Sequence, residues 1–563
     1  MHLFATPSLR NRLFFALGAL LVSLAAPAQT VYAPLNSDYY YLVDRYEIKL
    51  GRFASGFFSN VRPYERRGIA QLTDSVAANH NFLSGRDRFN LTYLRNDNWE
   101  WSDSAENESN TPIFKTFYRK KSDFYHHRDD EFEVHVNPVL HVGAGSEPAG
   151  RRLFLNTRGA EIRGMIAKRI GFYSFLAENQ ATFPEYSRQF GTFYNAVPGE
   201  GYWKRFKTNG VDFFTARGYI TFNVVKPIQV QFGHDKNFIG NGYRSMILSD
   251  FSAPYLFLKL NTRVWRINYQ NLFAQMNADI FNFADDLFPK KYFAMHHLSV
   301  NLTKNLSIGV FESVVFGRDS IGNGQFDLNY LNPIIFYRSV EQQLGSLDNS
   351  IVGLDFRLNF LRHLQLYGQF VLDEFLLSEI RARRGWWANK QAGQLGLKYV
   401  DVAGIANLDL QVEANVARPY TYTHETTATS YAHYNLPLAH PLGANFYELV
   451  GILRYQPLNR LHLTGKLMYA RSGEDDAGSN WGQNVRLSYA TLEQQYGNKI
   501  GQGVATRVAF ADFTATYMLR HNLFIDAKAT VRRQESALPE RDRTDYIGFL
   551  SLRLNIPQRL QEF

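Results

Sequence analysis

The stretch Asn407-Leu408-Asp409-Leu410-Gln411-Val412-Glu413-Ala414-Asn415-Val416 decides the fold of this chain. Apolar and polar side chains alternate at every step along it. Because successive side chains of a β-strand point to opposite faces, one face of this segment is apolar and the other is strongly hydrophilic. Such a strand fits a soluble β-sandwich, whose polar face meets water, or a membrane barrel, whose apolar face meets lipid.

The same alternation recurs along most of the chain. It is found in residues 351–360, 363–373, 446–455, 461–469, 525–532 and 546–554. With turns and long outer loops included, a membrane strand takes about 24 residues, so residues 131–563 hold on the order of 18 strands. The predicted fold class is therefore all-β, a transmembrane antiparallel β-barrel of about 18 strands.

The first residues read as an export signal. Arg10 and Arg12 precede the apolar stretch 13–24, and Ala26-Pro27-Ala28 supplies the small residues of a cleavage site. The apolar stretch is short for a spanning helix. We expect residues 1–28 to be a cleaved signal peptide and the mature chain to lie in the outer membrane of a Gram-negative bacterium. The alternative is a buried N-terminal helix.

Aromatic residues favour the membrane barrel over a soluble multi-sheet protein. The chain has 45 Phe and 33 Tyr, and aromatic residues gather in the two interface girdles of a barrel. A soluble all-β protein gives no reason for aromatics at strand ends. The chain finishes in Phe563 after the alternating segment 546–554, so we also expect a final amphipathic strand that closes with a terminal aromatic.

Residues 29–130 differ from the rest of the chain. Ile69, Leu72 and Val76 follow the spacing of a helix, whereas residues 35–51 fit either a strand pair or a short helix. We predict a small helical section that plugs or caps one end of the barrel. A periplasmic helical domain without a gating role is the alternative.

The sequence predicts no catalytic, cofactor or metal site. There is no cysteine, and no motif of a serine nucleophile, a zinc peptidase or a phosphate-binding loop is present. The charged segment 125–131 is better explained as a solvated turn than as a metal site. Carboxylates on the polar strand faces, such as Asp355 and Asp409, fit a hydrated lumen wall balanced by Arg357 and Arg454. The formal net charge of +9 suits acidic polysaccharide or lipid phosphate, and no nucleic-acid motif accompanies it.

Three loops combine aromatic rings with polar groups: residues 384–390, 418–424 and 480–484. Ring faces stack on the C–H surfaces of sugars, while amide, hydroxyl and guanidinium groups bond sugar hydroxyls or carboxylates. A girdle at the membrane interface explains any single ring equally well. The candidate carbohydrate-binding residues are Trp386, Trp387, Asn389, Arg418, Tyr420, Tyr422, His424 and Trp481.

Three blocks of sequence carry a family resemblance: residues 156–164 with 172–173 and 178–180, residues 231–245 with 248–250, and residues 418–424. Together they resemble the Wzi capsule-assembly family of outer-membrane barrels, and within it the gliding-motility-associated RemB-like branch. The resemblance implies a barrel of about 18 strands with a helical N-terminal section. It also implies a surface lectin that holds exported polysaccharide on the cell.

The leading functional hypothesis is a non-enzymatic outer-membrane barrel that binds or organises surface or capsular polysaccharide. Its expected partners are that polysaccharide and outer-membrane lipid, with no nucleic acid and no cofactor. The first alternative is a structural partner of gliding or secretion proteins. The second is a diffusion porin, which a helical plug disfavours.

Overall fold

Eighteen antiparallel strands close into a barrel, and the last strand pairs with the first through Gly548–Ser146 to Leu554–Leu140. The computed structural model describes residues 30–78, 82–278, 288–317, 326–334, 336–344 and 348–563, so the expected signal peptide lies outside the described residues. The predicted fold class and strand number are confirmed.

The strands follow one another around the barrel in chain order. They are β1 Phe132–Glu147, β2 Arg151–Ile166, β3 Ile170–Thr182, β4 Gly210–Val225, β5 Ile228–Asp235, β6 Tyr255–Val264, β7 Ile267–Asn277, β8 Lys290–Asn301, β9 Leu306–Phe316, β10 Asn349–Phe360, β11 Leu364–Leu372, β12 Gln391–Tyr399, β13 Leu408–Ala417, β14 Phe446–Leu458, β15 Leu461–Glu474, β16 Val504–Arg520, β17 Leu523–Ser536 and β18 Arg543–Leu554. Short strands outside this set are Val61–Arg62, Tyr125–Arg128, Lys204–Phe206, Phe238–Ile239, Ala432–His433 and Leu436–Pro437.

The alternation in sequence sets the two faces of the wall. Leu449 of β14 and Leu467 of β15 are more than half exposed on the outer face. Asp409 and Glu413 of β13 point into the lumen, where Glu413 is fully buried. Because paired residues of antiparallel strands share a face, this parity holds from strand to strand around the barrel.

The barrel has two unlike ends. The turn end carries the short connections 167–169, 226–227, 265–266, 302–305, 361–363, 400–407, 459–460 and 521–522. The loop end carries the long connections, among them 183–209, 236–254, 373–390, 418–445 and 475–503. The chain enters and leaves the barrel wall at the turn end, because β1 begins there and β18 ends there.

Helices α1 Tyr40–Leu50, α2 Arg66–Ala77 and α3 Gly85–Asp97 lie against the turn end and form, with residues 30–101, the structure that we call the plug. Ile69, Leu72 and Val76 are buried on α2, as their spacing predicts. The other α-helices of the described residues are α4 Glu185–Tyr194, α5 Tyr337–Leu344 and α6 Leu377–Ala382. In the described part of the chain, no helix is long and apolar enough to cross a bilayer.

Buried ion pairs fasten the plug to the barrel wall. Arg45 of α1 lies 2.9 Å from Asp87 of α3, 2.7 Å from Asp401 and 2.5 Å from Asp409. Arg357 of β10 pairs with Glu47 of α1 at 2.7 Å. The expectation that Asp409 and Arg357 balance charge along a hydrated wall is therefore wrong for these two residues. Their partners are charges of the plug.

The loop 236–254 folds inward and fills part of the lumen. The Glu413 carboxylate accepts the backbone N–H groups of Tyr243 and Arg244, at 2.7 and 3.0 Å. The Arg244 guanidinium pairs with Glu448 at 3.2 Å. A Cβ atom at Gly242 would lie 2.5 Å from Gln394 Oε1, so only glycine fits there. The ion pair of Arg244 with Glu448 thus holds this loop against the barrel wall.

The last nine residues depart from the expected ending. β18 stops at Leu554, Asn555 has φ +52°, and residues 556–563 turn into the lumen. Glu562 Oε1 accepts a hydrogen bond from Lys466 Nζ at 2.6 Å, and the Phe563 ring packs 4.2 Å from that of Phe190. Phe563 is therefore not the terminal aromatic of a strand, because buried polar partners hold this tail inside the barrel.

One part of the outer wall is also covered. Glu312 of β9 and His296 of β8 face outward and pair at 3.0 Å, and Tyr337 of α5 donates its backbone N–H to Glu312 at 3.0 Å. Tyr330 and Tyr337 are fully buried against this face. The segment around α5 thus shields a polar pair that would otherwise face lipid.

Candidate functional site

Three loops meet at the loop end and are tied together by backbone hydrogen bonds. Trp387 N donates to Gln495 O at 3.0 Å, and Gly497 N donates to Arg384 O at 2.8 Å. Tyr420 N donates to Gly482 O at 2.9 Å. The loops 373–390, 418–445 and 475–503 therefore form one surface, which brings together the separately selected segments 384–390, 418–424 and 480–484.

Aromatic rings cluster where these loops join. The Trp387 ring lies 4.9 Å from that of Tyr489 and 6.2 Å from that of Tyr420, perpendicular to the latter. Trp386 stands edge-on to Trp387 at 6.3 Å. Trp386, Trp387 and Tyr489 are half-buried and Tyr496 is 45% exposed. We call these four residues the aromatic platform.

A buried lysine lies beneath the aromatic platform. Lys390 Nζ is 5.2 Å from the centre of the Trp387 ring and 4.7 Å from that of Tyr489. The same nitrogen donates to Glu374 Oε1 at 3.1 Å and to Thr423 O at 3.0 Å. A cation over the ring faces and two fixed hydrogen bonds hold these rings in place.

Several predicted site residues support the platform from within. Tyr420 and Tyr422 are fully buried, and the Tyr422 hydroxyl donates to Met246 O at 2.6 Å. Asn389 is buried, and its backbone carbonyl oxygen accepts a hydrogen bond from Arg418 Nε at 2.7 Å. Arg418 itself is half-buried. Of this group, Arg418 is the residue with side-chain surface left for a ligand.

His424 is buried at the edge of the same cluster. Its Nδ1 lies 2.9 Å from Thr429 Oγ1, and its ring is 5.5 Å from that of Tyr489. Burial and the nearby Lys390 ammonium lower the pKa of His424 to about 4, so the imidazole is neutral at neutral pH. It therefore adds no charge to the site.

Trp481 lies in a separate part of the surface. Its backbone N–H donates to Asp475 Oδ1 at 2.5 Å, and its half-buried ring packs on Gly503, where a Cβ atom would lie 2.7 Å from Trp481 Cγ. The neighbouring residue Asn480 connects it to the aromatic platform. The Asn480 backbone carbonyl accepts from the Tyr420 hydroxyl at 2.7 Å, and the Tyr420 ring packs against that of Trp387.

The list of candidate contact residues omitted four residues of the site: Arg384 and Lys390, which lie within the selected segment 384–390, and Tyr489 and Tyr496. The Arg384 guanidinium lies 4.8 Å over the Tyr496 ring. Arg384 and Lys390 stand at the two ends of the segment that contains Trp386 and Trp387. This position beside two tryptophans was the available sequence signal that they belong to the site. Tyr489 and Tyr496 come from a part of the third loop without such a motif, and only the fold brings them to the tryptophans.

A family model described as capsule assembly protein Wzi matches residues 97–537. The structure is similar to that of Wzi from Escherichia coli, described as an outer-membrane protein involved in group 1 capsule assembly and a carbohydrate-binding β-barrel. This likeness has a TM-score of 0.56 and 12% identity and covers 94% of this chain and 100% of that chain. At such identity it shows the fold alone.

Weaker likenesses carry no functional argument. OprD from Pseudomonas aeruginosa has a TM-score of 0.41 and 10% identity, over 75% of this chain and 95% of that chain. Among curated proteins, none matches the chain.

Proposed function

The chain belongs to the Wzi family of capsule-assembly proteins, and on that premise we propose that it binds surface or capsular polysaccharide without catalysing a reaction. The observation that carries the proposal is the aromatic platform at the loop end. Trp386, Trp387 and Tyr489 present ring surface, and Lys390 fixes two of these rings from beneath. Rings held in place lose little conformational freedom when a ligand stacks on them.

Polar groups beside the platform support recognition of a sugar. Arg418 Nε donates a hydrogen bond to the Asn389 backbone carbonyl. The terminal nitrogens of Arg418 have no partner among the described residues. Arg384 is exposed beside Tyr496, and its guanidinium also pairs with Glu379. Guanidinium groups form charge-assisted hydrogen bonds with carboxylates, and the basic balance of the chain favours an acidic polysaccharide.

The predicted contact residues divide into two roles under this proposal. Trp386, Trp387, Arg418 and Trp481 keep side-chain surface for direct contact. The buried residues shape the surface from below, and these are Asn389, Tyr420, Tyr422 and His424.

The filled lumen supports binding rather than diffusion. The plug, the loop 236–254 and the tail 556–563 all occupy the interior. Between them remains a cavity of about 380 Å³, lined by residues of all three segments. A general porin needs a continuous wet path, so we do not favour the porin alternative. We take residues 29–130 as an N-terminal section that contains the plug and caps the barrel, and residues 131–563 as the outer-membrane barrel, with lipid around its outer wall.

A role in gliding motility is the second proposal, and it rests on the resemblance carried by the three sequence blocks, of which 231–245 is the most specific. That block builds the inward loop held by Glu413 and Glu448. These contacts are internal and explain the block by folding alone, so polysaccharide binding remains the preferred function.

A deletion strain scored for capsule retention and for surface spreading tests the proposal. We expect capsule to be shed into the medium while spreading continues, and the wild-type gene to restore retention. Retained capsule together with lost spreading would instead support the gliding role. Complementation with a Trp386→Ala/Trp387→Ala variant that reaches the membrane should fail to restore retention.

A further inference from the structure

A cluster of arginines stands on the outer wall near the loop end. Arg471 of β15 and Arg507 of β16 are directly opposite each other in the strand register, and both are exposed. Their neighbours Ser472 and Thr506 are buried on the lumen side, so the two arginines face away from the barrel. Arg533 of β17 lies diagonal to Arg507 on the same face.

The protein balances these charges only in part, with one carboxylate for three arginines. Like charges directly opposite each other on a sheet destabilise it. Glu535 lies directly opposite Arg507 in the strand register, but its carboxylate pairs with Arg533, at 2.6 Å. Among the described residues, Arg471 and Arg507 form no ion pair. Two guanidinium groups side by side, each with free N–H donors, present the geometry that phosphate oxygens accept in bidentate fashion.

The arginines stand at the level of an aromatic girdle. Tyr447 of β14 pairs directly with Arg471, and Tyr469 lies two residues below it on β15. Tyr546 of β18 completes the belt beside β17. All three rings are about half exposed or more on the outer face. Tyrosines in such a belt mark the boundary between hydrocarbon and headgroups, so the arginines lie at the depth of lipid phosphates.

An apolar groove of about 810 Å³ begins just below this belt on the same wall. Leu467, Phe513, Val531 and Tyr546 line it, and its floor includes Gly465 and Gly548, where an added Cβ would meet no atom within 4 Å. Val531 is two residues below Arg533, a separation of about 7 Å along the strand. The charged cluster and the groove thus follow each other as headgroup and acyl chain do in a lipid.

We propose that this wall holds a phosphorylated lipid of the outer leaflet, with a phosphate on Arg471 and Arg507 and an acyl chain in the groove. The site is independent of the proposed polysaccharide binding, because it faces lipid and not the loop-end surface. An acidic polysaccharide offers the arginines a similar charge but nothing for the groove.

Binding of diphosphorylated lipid A to the purified full-length protein in detergent with chelator, measured by native mass spectrometry, tests the proposal. We expect Arg471→Gln/Arg507→Gln to weaken binding by at least about tenfold, since two charge-assisted contacts are lost. Gly465→Leu/Gly548→Leu should weaken it through the groove alone. The matched control is Arg158→Gln, because Arg158 is also exposed on the outer wall but is paired with Glu178 at 3.4 Å. It should bind as the wild type does.

Each comparison has an outcome that overturns the proposal. Equal affinity of the double arginine variant and the wild type removes the headgroup site. Equal affinity for dephosphorylated lipid A shows that the phosphate is not recognised. Competition by inorganic phosphate or by lipid-free acidic polysaccharide at comparable concentration assigns the arginines to another ligand. Each variant is first shown to be folded by a change in its gel mobility when the sample is heated.

Discussion

The Arg357 guanidinium of β10 lies 2.7 Å from the Glu47 carboxylate of α1, and both side chains are almost completely buried. Glu47 also accepts hydrogen bonds from Ala54 N at 2.7 Å and Ser59 Oγ at 2.6 Å. The wall and the plug are thus joined by a satisfied buried carboxylate. Such a pair is costly to break from one side, because the remaining charge stays buried without its partner.

We expect Arg357→Met to lower the free energy of unfolding by about 3–5 kcal/mol. Arg357→Met/Glu47→Gln should recover more than half of that loss, since the amide oxygen still accepts a hydrogen bond and no charge is left alone. Urea unfolding in detergent measures both. Arg95→Met is the control, because Arg95 pairs with the half-exposed Asp74 and should cost less than about 1 kcal/mol. A single variant as stable as the control would contradict the role of the pair.

The plug should loosen in acid. Burial alone would raise the pKa of Asp87, but the Arg45 guanidinium, with Lys49, lowers it to about 2 from an ordinary value of 3.8. A depressed folded pKa adds stability that is present above about pH 4 and is lost as the pH falls towards 2. The shift corresponds to about 2 kcal/mol.

Thermal unfolding between pH 7 and pH 2 checks this prediction. Asp87→Asn should be less stable than the wild type at pH 7, and this difference in stability should disappear at pH 2. Asp74→Asn, on the exposed side of the plug, should parallel the wild type across the range. An Asp87→Asn gap that is constant with pH would show that the carboxylate charge is not what stabilises the plug.

Planar-bilayer recordings should show no stable conductance steps from the intact protein. Among the described residues, the plug, the loop 236–254 and the tail 556–563 fill most of the lumen and leave a cavity of about 380 Å³ between them. A general porin reconstituted in the same bilayer is the control for insertion. Reproducible steps from the folded barrel would reinstate the diffusion alternative.

The sequence predicted the wall better than its contents. Alternation over a strand is local, so β13 and β17 could be read directly from residues 408–416 and 525–532. The tail 556–563 could not, because its place depends on Lys466 and on Phe190, which are distant in sequence. For residues 35–51 the sequence left a strand pair and a short helix as alternatives. The structure has the helix α1 there, and its contacts with the barrel wall come from residues distant in sequence.

The candidate site was predicted by composition and could not be resolved into roles. Tyr420 and Trp387 both look like exposed loop aromatics in sequence, yet one is fully buried and the other half-buried. Which ring faces outward depends on the joining of loops 373–390 and 475–503. Lys390 lies within the selected segment 384–390, but its contact with the ring of Tyr489 could not be predicted, since Tyr489 lies on another loop.

Affinity of the purified protein for the capsular polysaccharide of its own host tests the central claim most directly. Trp386→Ala/Trp387→Ala should weaken binding by about tenfold or more, because each stacked ring contributes about 1 kcal/mol beyond its buried area. Trp265→Ala removes an exposed tryptophan at the turn end and should leave the affinity unchanged. Unchanged binding by the double variant, while it remains folded, would contradict the account.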